Sequence, residues 1–299
     1  LLRLALAICV FFAHSSSFGL PILRGDIAVE VFFVISGFYM QLILGDVYTP
    51  ARMGKDWLKK FYINRYLRLF PVYIVTAGAT LALASGYFFM KGGALMPPLK
   101  ALEAVSSLQS NLQNLALKAF LLLTNITMFF QDAAMFMGVR QGSAQFVADF
   151  SNSQIPIWQA LAVPQSWSIG LELTFYLIAP FLLKLSTRKI LTIAAISLGA
   201  KAAFLIFFNN QLGLSSHFGI DGIAHISGLW GYRFFPFELS YFLAGATAYR
   251  YFASRASKFS HPTFSHQLTA YLFIILSVTI FSLAFNKPGL CWIFPLAFA

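Results

Sequence analysis

Charged residues are scarce in this chain, and their scarcity indicates its class. Asp, Glu, Lys and Arg make up 10% of the 299 residues, whereas hydrophobic residues make up 59%. Soluble domains carry about 25% charged residues, so this composition argues against a soluble protein. The apolar runs are long and lack period-two polarity. We therefore predict an all-α fold, a polytopic transmembrane helical bundle.

Cysteine is also rare, and the few cysteines exclude two kinds of chemistry. Cys9 and Cys291 are the only cysteines, and both lie in apolar segments. They offer neither a disulfide framework nor the spacing of metal ligands, and the five histidines show no metal-ligand spacing either. We expect no metal and no permanently bound cofactor.

Acidic residues are outnumbered by basic ones, which leaves a formal net charge of +11. The basic residues cluster at the ends of apolar runs, where cytoplasmic loops carry their Lys and Arg. A membrane surface therefore explains the charge better than nucleic acid does, and we predict no nucleic-acid partner. The densest cluster, in 46–68, is predicted to be cytoplasmic, which places the amino terminus inside.

About nine spans are predicted out of roughly ten. They cover 3–19, 28–46, 70–90, 118–137, 167–184, 189–208, 228–250, 268–285 and a last one from 289. The topology between 91 and 164 stays open, because one element there has to be re-entrant, interfacial or an extra span. The chain starts without Met and stops at Ala299 in an apolar run. We expect a single domain over 1–299 that is truncated at both ends; a signal peptide over Leu1–Ser15 is the alternative for its start.

Three ionisable residues lie in the first two apolar segments. Arg3 and His14 are eleven positions apart, which is roughly three helical turns plus about 20°, so a helix places them on one face. If the chain reverses between Gly19 and Asp26, His14 and Glu30 lie at similar depth. We predict that this His and this carboxylate meet inside the membrane.

Two arginines follow at a spacing of three residues. Arg65 and Arg68 share a helical face, and the planar guanidinium group suits phosphate oxygens. The pair is also typical of a cluster that stops translocation and contacts lipid phosphates. Spacing alone favours that second interpretation.

A polar stripe marks one later helix. Ser168, Glu172 and Tyr176 recur at every fourth residue and so lie on one face of an otherwise apolar segment. A carboxylate within a membrane is a candidate functional group because it is costly there. A buried hydrogen bond or ion pair between helices is the structural alternative.

Five motifs follow one another along the chain. They are Arg3 with His14, the segment Val29 to Phe38, Arg65-Tyr66-Leu67-Arg68 before Pro71, Trp167-Ser168 with Glu172, Phe175, Tyr176 and Pro180, and Arg233 followed by Phe237 and Gly245. In this order they resemble membrane-bound acyltransferase family 3, whose members transfer acyl groups, mostly acetyl, to extracytoplasmic carbohydrates. The resemblance covers essentially the whole chain, although this sequence has Ala28 and Glu30 where the family often has Gly and Asp.

The resemblance implies a reaction and a set of partners. Acetyl-CoA, or another acyl-CoA, is the expected donor co-substrate, and a glycan or glycolipid outside the cytoplasm is the expected acceptor. Membrane lipid is the other expected partner, and the bacterial inner membrane is the expected location. We expect Arg3, Arg65 and Arg68 to bind the donor phosphates. The residues expected to bind the acceptor are Trp167, Ser168, Tyr176 and Arg233.

For catalysis we expect three residues, His14, Glu30 and Glu172. His14, oriented by Glu30, would deprotonate a sugar hydroxyl or carry the acyl group itself, and the spacing does not decide between these. Glu172 would align the acceptor or the His. The alternative function is a transporter or flippase with an Arg, His and Glu path; the missing internal repeat argues against it.

Overall fold

The computed structural model describes residues 2–14, 25–147, 153–211 and 230–256. Within these ranges the chain is mostly helical, which confirms the predicted helical class. The α-helices are α1 (Leu2–His14), α2 (Gly25–Asp46), α3 (Pro50–Met53), α4 (Trp57–Met90), α5 (Leu99–Ser106), α6 (Leu112–Thr127), α7 (Trp167–Leu182), α8 (Thr187–Gln211) and α9 (Phe235–Ala256).

Side chains cap two of these helices. The hydroxyl of Thr49 accepts a hydrogen bond from the backbone N–H of Arg52 at 3.3 Å at the start of α3. The side-chain oxygen of Asn111 accepts from the N–H of Asn114 at 2.8 Å at the start of α6. Short polar side chains at these positions satisfy N–H groups that have no partner within the helix.

A small antiparallel sheet interrupts the helices. Its strands are β1 (Met137–Arg140), β2 (Ser143–Phe146) and β3 (Ile155–Pro156), in the order β2-β1-β3. Gln141 and Gly142 connect β1 to β2 with φ values of 51° and 73°. Positive φ at both central residues is typical of the tight turn that suits the twist of a two-stranded hairpin. The sequence analysis did not predict this sheet.

The described residues form two compact units. Among the described residues, the first comprises 2–14, 25–54, 179–202 and 236–256, and the second comprises 55–147, 153–178, 203–211 and 230–235. In the first, α1 packs on α2 through a buried apolar cluster of Leu6, Ile27, Ala28 and Val31.

The second unit has its own apolar core. This core joins α5 and α6 to the sheet and to the segment that precedes α7. Its buried members are Ala101, Val105, Leu117, Leu121, Ala134, Val139, Ala144, Ile157, Ala160 and Leu161.

The predicted spans have mixed outcomes. Two helices in the described ranges, Ile27–Asp46 and Trp57–Met90, are long and apolar enough to cross a membrane. The first matches the predicted span 28–46, and the second extends the predicted span 70–90 toward its amino end. The predicted spans 118–137, 167–184 and 189–208 do not meet this criterion within the described residues. The predicted spans 3–19 and 228–250 lie partly outside the described residues, and those from 268 onward lie wholly outside them.

One predicted span is wrong in its second half. The sequence analysis placed a helix over 118–137, but α6 ends at Thr127. Met128 follows with a left-handed φ of 64°, and the hydroxyl of Thr124 donates to the carbonyl of Phe129 across the turn. The chain continues as a 3₁₀ turn, Ala133–Phe136, and then as β1. Apolar residues hid this change because a strand and a short helix bury them equally well.

Candidate functional site

A buried ionic cluster joins three helices of the first unit. Lys201 of α8 donates from Nζ to Glu30 Oε1 of α2 at 2.8 Å and to Glu238 Oε1 of α9 at 3.0 Å. Its third hydrogen bond goes to the hydroxyl of Tyr241 at 2.9 Å. Lys201 is 1% exposed and Glu238 is fully buried. All three protons of the ammonium group therefore have an acceptor, as a buried cation requires.

Only one of the three charged residues of the ionic cluster was predicted. Glu30 was a candidate from the sequence, whereas Lys201 and Glu238 were not. Each lies in a mostly apolar helix, and charges in such helices are rare enough to be candidates by themselves. That signal was present and would have identified both residues. Their pairing with Glu30 could not be read from the sequence, because the three residues come from distant helices.

Glycines bring α2 and α9 into close contact. A Cβ on Gly37 would collide with the carbonyl group of Phe242, and a Cβ on Gly245 would collide with that of Val34. The ring of Phe33 stacks on that of Phe242 with centroids 4.7 Å apart. This backbone contact fixes the relative positions of α2 and α9, the helices that carry the carboxylates of Glu30 and Glu238.

Arg3 lines a cavity in the same unit. Its guanidinium lies over the ring of Tyr39, 4.9 Å from the centroid. The Nε atom is buried and has no hydrogen-bond partner among the described residues. The cavity has a volume of about 360 Å³. Its walls come from α1, α2 and α9 and are formed by Leu2, Arg3, Val34, Ile35, Phe38, Tyr39, Gly245 and Ala248.

His14 is the last residue of α1, and its side chain lies outside the described part of the chain. The backbone helix is continuous from Leu2 to His14, so Arg3 and His14 belong to one helix, as predicted. Whether the His14 side chain meets Glu30 stays a prediction.

In the second unit, Arg65 and Tyr176 line one cavity of about 390 Å³. The Nε atom of Arg65 is buried without a hydrogen-bond partner among the described residues. Arg68 is exposed and does not line this cavity. The predicted grouping of Arg65 and Arg68 with Arg3 stays a prediction. The cavity is lined by Tyr62, Ile63, Arg65, Tyr66, Leu67, Phe129, Leu173, Tyr176 and Leu177.

The predicted polar stripe on α7 is present. The hydroxyl of Tyr176 donates to the carboxylate of Glu172 one turn earlier. Ser168 donates to the carbonyl of Gln165 at 3.4 Å, just before the helix. Tyr176 forms part of the wall of the cavity that Arg65 also lines, whereas Glu172 itself does not line it.

Arg233 lies against the first turn of α7. Its guanidinium lies 5.0 Å from the centroid of the buried Trp167 ring, and Nη1 contacts Met135 Sδ at 3.4 Å. Trp167 also packs edge to face on Tyr232 with centroids 4.6 Å apart. The structure thus brings together two residues, Trp167 and Arg233, that the family resemblance implied for acceptor binding.

Asp132 is a candidate that the sequence analysis missed. It precedes the 3₁₀ turn, and its buried Oδ1 atom has no hydrogen-bond partner among the described residues. Desolvation by burial raises the pKa of Asp132 to about 6. Its neighbour Gln131 is anchored by hydrogen bonds from Nε2 to the Tyr73 hydroxyl and to the Thr124 carbonyl, at 2.9 and 3.1 Å. The side-chain hydrogen bonds of Gln131 therefore also hold the backbone at Asp132 in place.

A metal centre has no support among the described residues. No group of three or more His, Cys, Asp and Glu side chains there is arranged to hold a metal ion. Lys201, Glu30 and Glu238 instead bond to each other, and the guanidinium groups of Arg3 and Arg233 lie against aromatic rings.

Comparison with known proteins supplies the family. The model of the acyltransferase 3 family, described as an acyltransferase domain, matches residues 1–299. A protein of Haemophilus influenzae named "Uncharacterized protein" is 26% identical over 161 residues, which cover 54% of this chain and 50% of that relative. The chain thus matches about half the length of this relative. No solved structure matches. Because the family model spans every residue, the chain belongs to the acyltransferase 3 family.

Proposed function

We propose that the protein is an integral membrane O-acyltransferase. It moves an acyl group, acetyl in the simplest case, from cytoplasmic acyl-CoA to a hydroxyl of an extracytoplasmic carbohydrate. The proposal rests above all on the acyltransferase family match over the whole chain. The two long apolar helices and the net charge of +11 support a location in a membrane, which we propose to be a bacterial inner membrane.

Arg3 supports donor binding in the first unit. Its guanidinium borders a cavity of about 360 Å³ and keeps a buried Nε donor without a hydrogen-bond partner among the described residues. A phosphate oxygen is the acceptor that suits such a donor best, since Arg–phosphate hydrogen bonds are charge-assisted. We propose that Arg3 binds a phosphate of acyl-CoA, and that Arg65 and Arg68 provide further positive charge for the donor.

The reaction needs a group that removes the proton from the acceptor hydroxyl and then delivers it to the leaving thiolate. In the proposed step, His14 removes the proton of the acceptor hydroxyl as the hydroxyl oxygen attacks the thioester carbonyl. The carbon–sulfur bond breaks, and the thiolate of CoA leaves and takes the proton from the imidazolium. A two-step route, in which His14 first carries the acyl group, gives the same products.

In this step we assign Glu30 an electrostatic role, because its charged carboxylate is held in place. Its carboxylate is held by Lys201 at 2.8 Å, inside a cluster that the α2–α9 contact makes rigid. A carboxylate so placed would stabilise a nearby imidazolium in the transition state. Glu172, hydrogen-bonded to Tyr176, is proposed to align the acceptor.

The experiment is acyl transfer from radiolabelled acetyl-CoA in membranes that contain the full chain. Label in a glycan, together with free CoA in equal amount, supports the proposed reaction. Consumption of acetyl-CoA by empty membranes provides the background. No consumption above that background would contradict the acyltransferase proposal and would favour the transporter alternative, which buried ionisable residues also fit.

A further inference from the structure

Two buried polar atoms of opposite charge lie near the start of α7 and lack a hydrogen-bond partner among the described residues. One is Oδ1 of Asp132 and the other is Nε of Arg233. No hydrogen bond or ion pair joins these two residues within the described part of the chain. An unsatisfied buried group costs free energy, and the cost is larger for a charged group. A ligand that satisfies both atoms would remove that cost.

The contacts of these two residues place them on one face of α7. Arg233 lies over the ring of Trp167, and Oδ1 of Asp132 lies 2.8 Å from the position that a Cβ on Gly170 would occupy. Trp167 and Gly170 are three residues apart in a helix, so they share a face. Both unsatisfied groups therefore border the same turn.

A second contact agrees with this placement. Arg233 Nη1 touches Met135, and the N–H of Met135 donates to the carbonyl of Asp132 at 3.1 Å. Residues three apart in a 3₁₀ turn lie one above the other. The guanidinium of Arg233 thus contacts the 3₁₀ turn directly above Asp132.

We propose that Asp132 determines acceptor specificity. Its carboxylate accepts a hydrogen bond from a hydroxyl of an uncharged carbohydrate, and Arg233 donates through Nε to a neighbouring oxygen of the same sugar. This inference rests on the proposed function, because it identifies where that reaction holds its acceptor.

The charges of the site select the class of ligand. A carboxylate with a free lone pair needs a donor and repels phosphate or carboxylate groups, while Arg233 balances its charge. An uncharged sugar offers hydroxyl groups, which both donate and accept, and so fits both atoms. Gly170 is required beside Asp132, because any side chain at that position would displace the carboxylate.

The test compares wild type with Asp132→Asn in membranes that contain the full chain. Acetyl transfer is measured with radiolabelled acetyl-CoA and a panel of methyl hexopyranosides, and kinetics are taken with the best one. Asp132→Asn should raise the acceptor KM about fivefold or more, because the amide oxygen still accepts a hydrogen bond but no longer carries a charge, and leave the acetyl-CoA KM within about twofold. Asp56→Asn is the matched control, because Asp56 is exposed and its side chain does not cap α4.

Deoxy sugars provide a readout that a purely structural role would not move. Wild type should lose activity on the one deoxy derivative that lacks the hydroxyl bound by Asp132. Asp132→Asn should show a much smaller difference between that derivative and its parent. If the Asn variant is too unstable to measure, Asp132→Glu displaces the same charge by one methylene and is measured in its place.

The outcomes separate this inference from the proposed function. Active wild type with unchanged acceptor KM and unchanged deoxy discrimination in the variant overturns the role of Asp132 only. Equal changes in both KM values overturn it too, because they indicate a general structural defect. Wild type that transfers no label to any glycoside or endogenous glycan contradicts the proposed function itself.

Discussion

Lys201 Nζ and Glu30 Oε1 lie 2.8 Å apart although 171 positions separate the residues in the chain. Lys201 binds Glu238 in the same way, so one ammonium group links α2, α8 and α9. Glu30 lies in a segment by which the sequence resembles the family, and its carboxylate is held from a helix outside that segment. In the proposed reaction, Lys201 would therefore hold the Glu30 carboxylate in place.

Replacing Lys201 should destabilise the first unit strongly. Lys201→Met leaves the carboxylates of Glu30 and Glu238 buried without their shared cation, which costs about 3–5 kcal/mol in comparable cases. The melting temperature in detergent measures the effect. Lys201→Met combined with Glu30→Gln and Glu238→Gln should recover much of the loss. Equal melting temperatures for Lys201→Met and wild type would show that the ion pairs contribute little.

The close contact of α2 and α9 predicts that alanine substitutions at two glycines of α2 differ sharply in their effect on stability. Gly37→Ala should destabilise the protein by at least about 2 kcal/mol, because the new methyl group collides with the backbone at Phe242. Gly45 has open space around it, and Gly45→Ala should be neutral or slightly stabilising since Ala favours helix. Thermal melts of the two variants check this, and similar melts would contradict the packing.

The pKa of Asp132 predicts a pH-dependent stability. Burial raises this pKa from 3.8 to about 6, so the folded state holds its proton more tightly than the unfolded state. The resulting stabilisation is complete below pH 4 and is lost as the pH rises to about 6, by roughly 3 kcal/mol. The melting temperature of Asp132→Asn relative to wild type should therefore rise between pH 4 and pH 7. A constant difference over that range would contradict the burial of a titrating carboxylate.

Arg3 should affect the donor more than the acceptor. Arg3→Gln removes the cation that borders the cavity of the first unit, so the KM for acetyl-CoA should rise roughly tenfold or more. The acceptor KM should stay within about twofold. Arg52→Gln is the control because Arg52 is exposed on α3. A rise in the acceptor KM alone would contradict the prediction and would indicate that Arg3 binds the acceptor.

The sequence identified single candidate residues better than their structural partners. Glu30, Arg3 and the stripe of Glu172 and Tyr176 were visible because a charge or a polar repeat stands out in apolar helices. Lys201 and Asp132 carry the same signal, but their importance depends on contacts between distant elements. Such contacts are set by helix packing, which a residue pattern does not specify.

Helices were predicted better than the short strands. Long apolar runs correctly predicted helices at α2, α4 and α8. The observed helices begin earlier than predicted, because polar and charged residues before each apolar run are also helical. The β1–β2 hairpin was missed because its strands have only four residues each. Its turn at Gln141 and Gly142 carried the only local signal, and a single Gly is weak evidence for a turn.

The most direct test of the acyltransferase proposal is His14→Ala assayed with radiolabelled acetyl-CoA in membranes that contain the full chain. His266→Ala is the matched control, because it also removes a histidine and His266 belongs to none of the predicted site residues. We predict that wild type and His266→Ala transfer label to a glycan and that His14→Ala does not, although it is present in equal amount. Transfer by His14→Ala at the wild-type rate would show that His14 is not the base and would contradict the proposed mechanism.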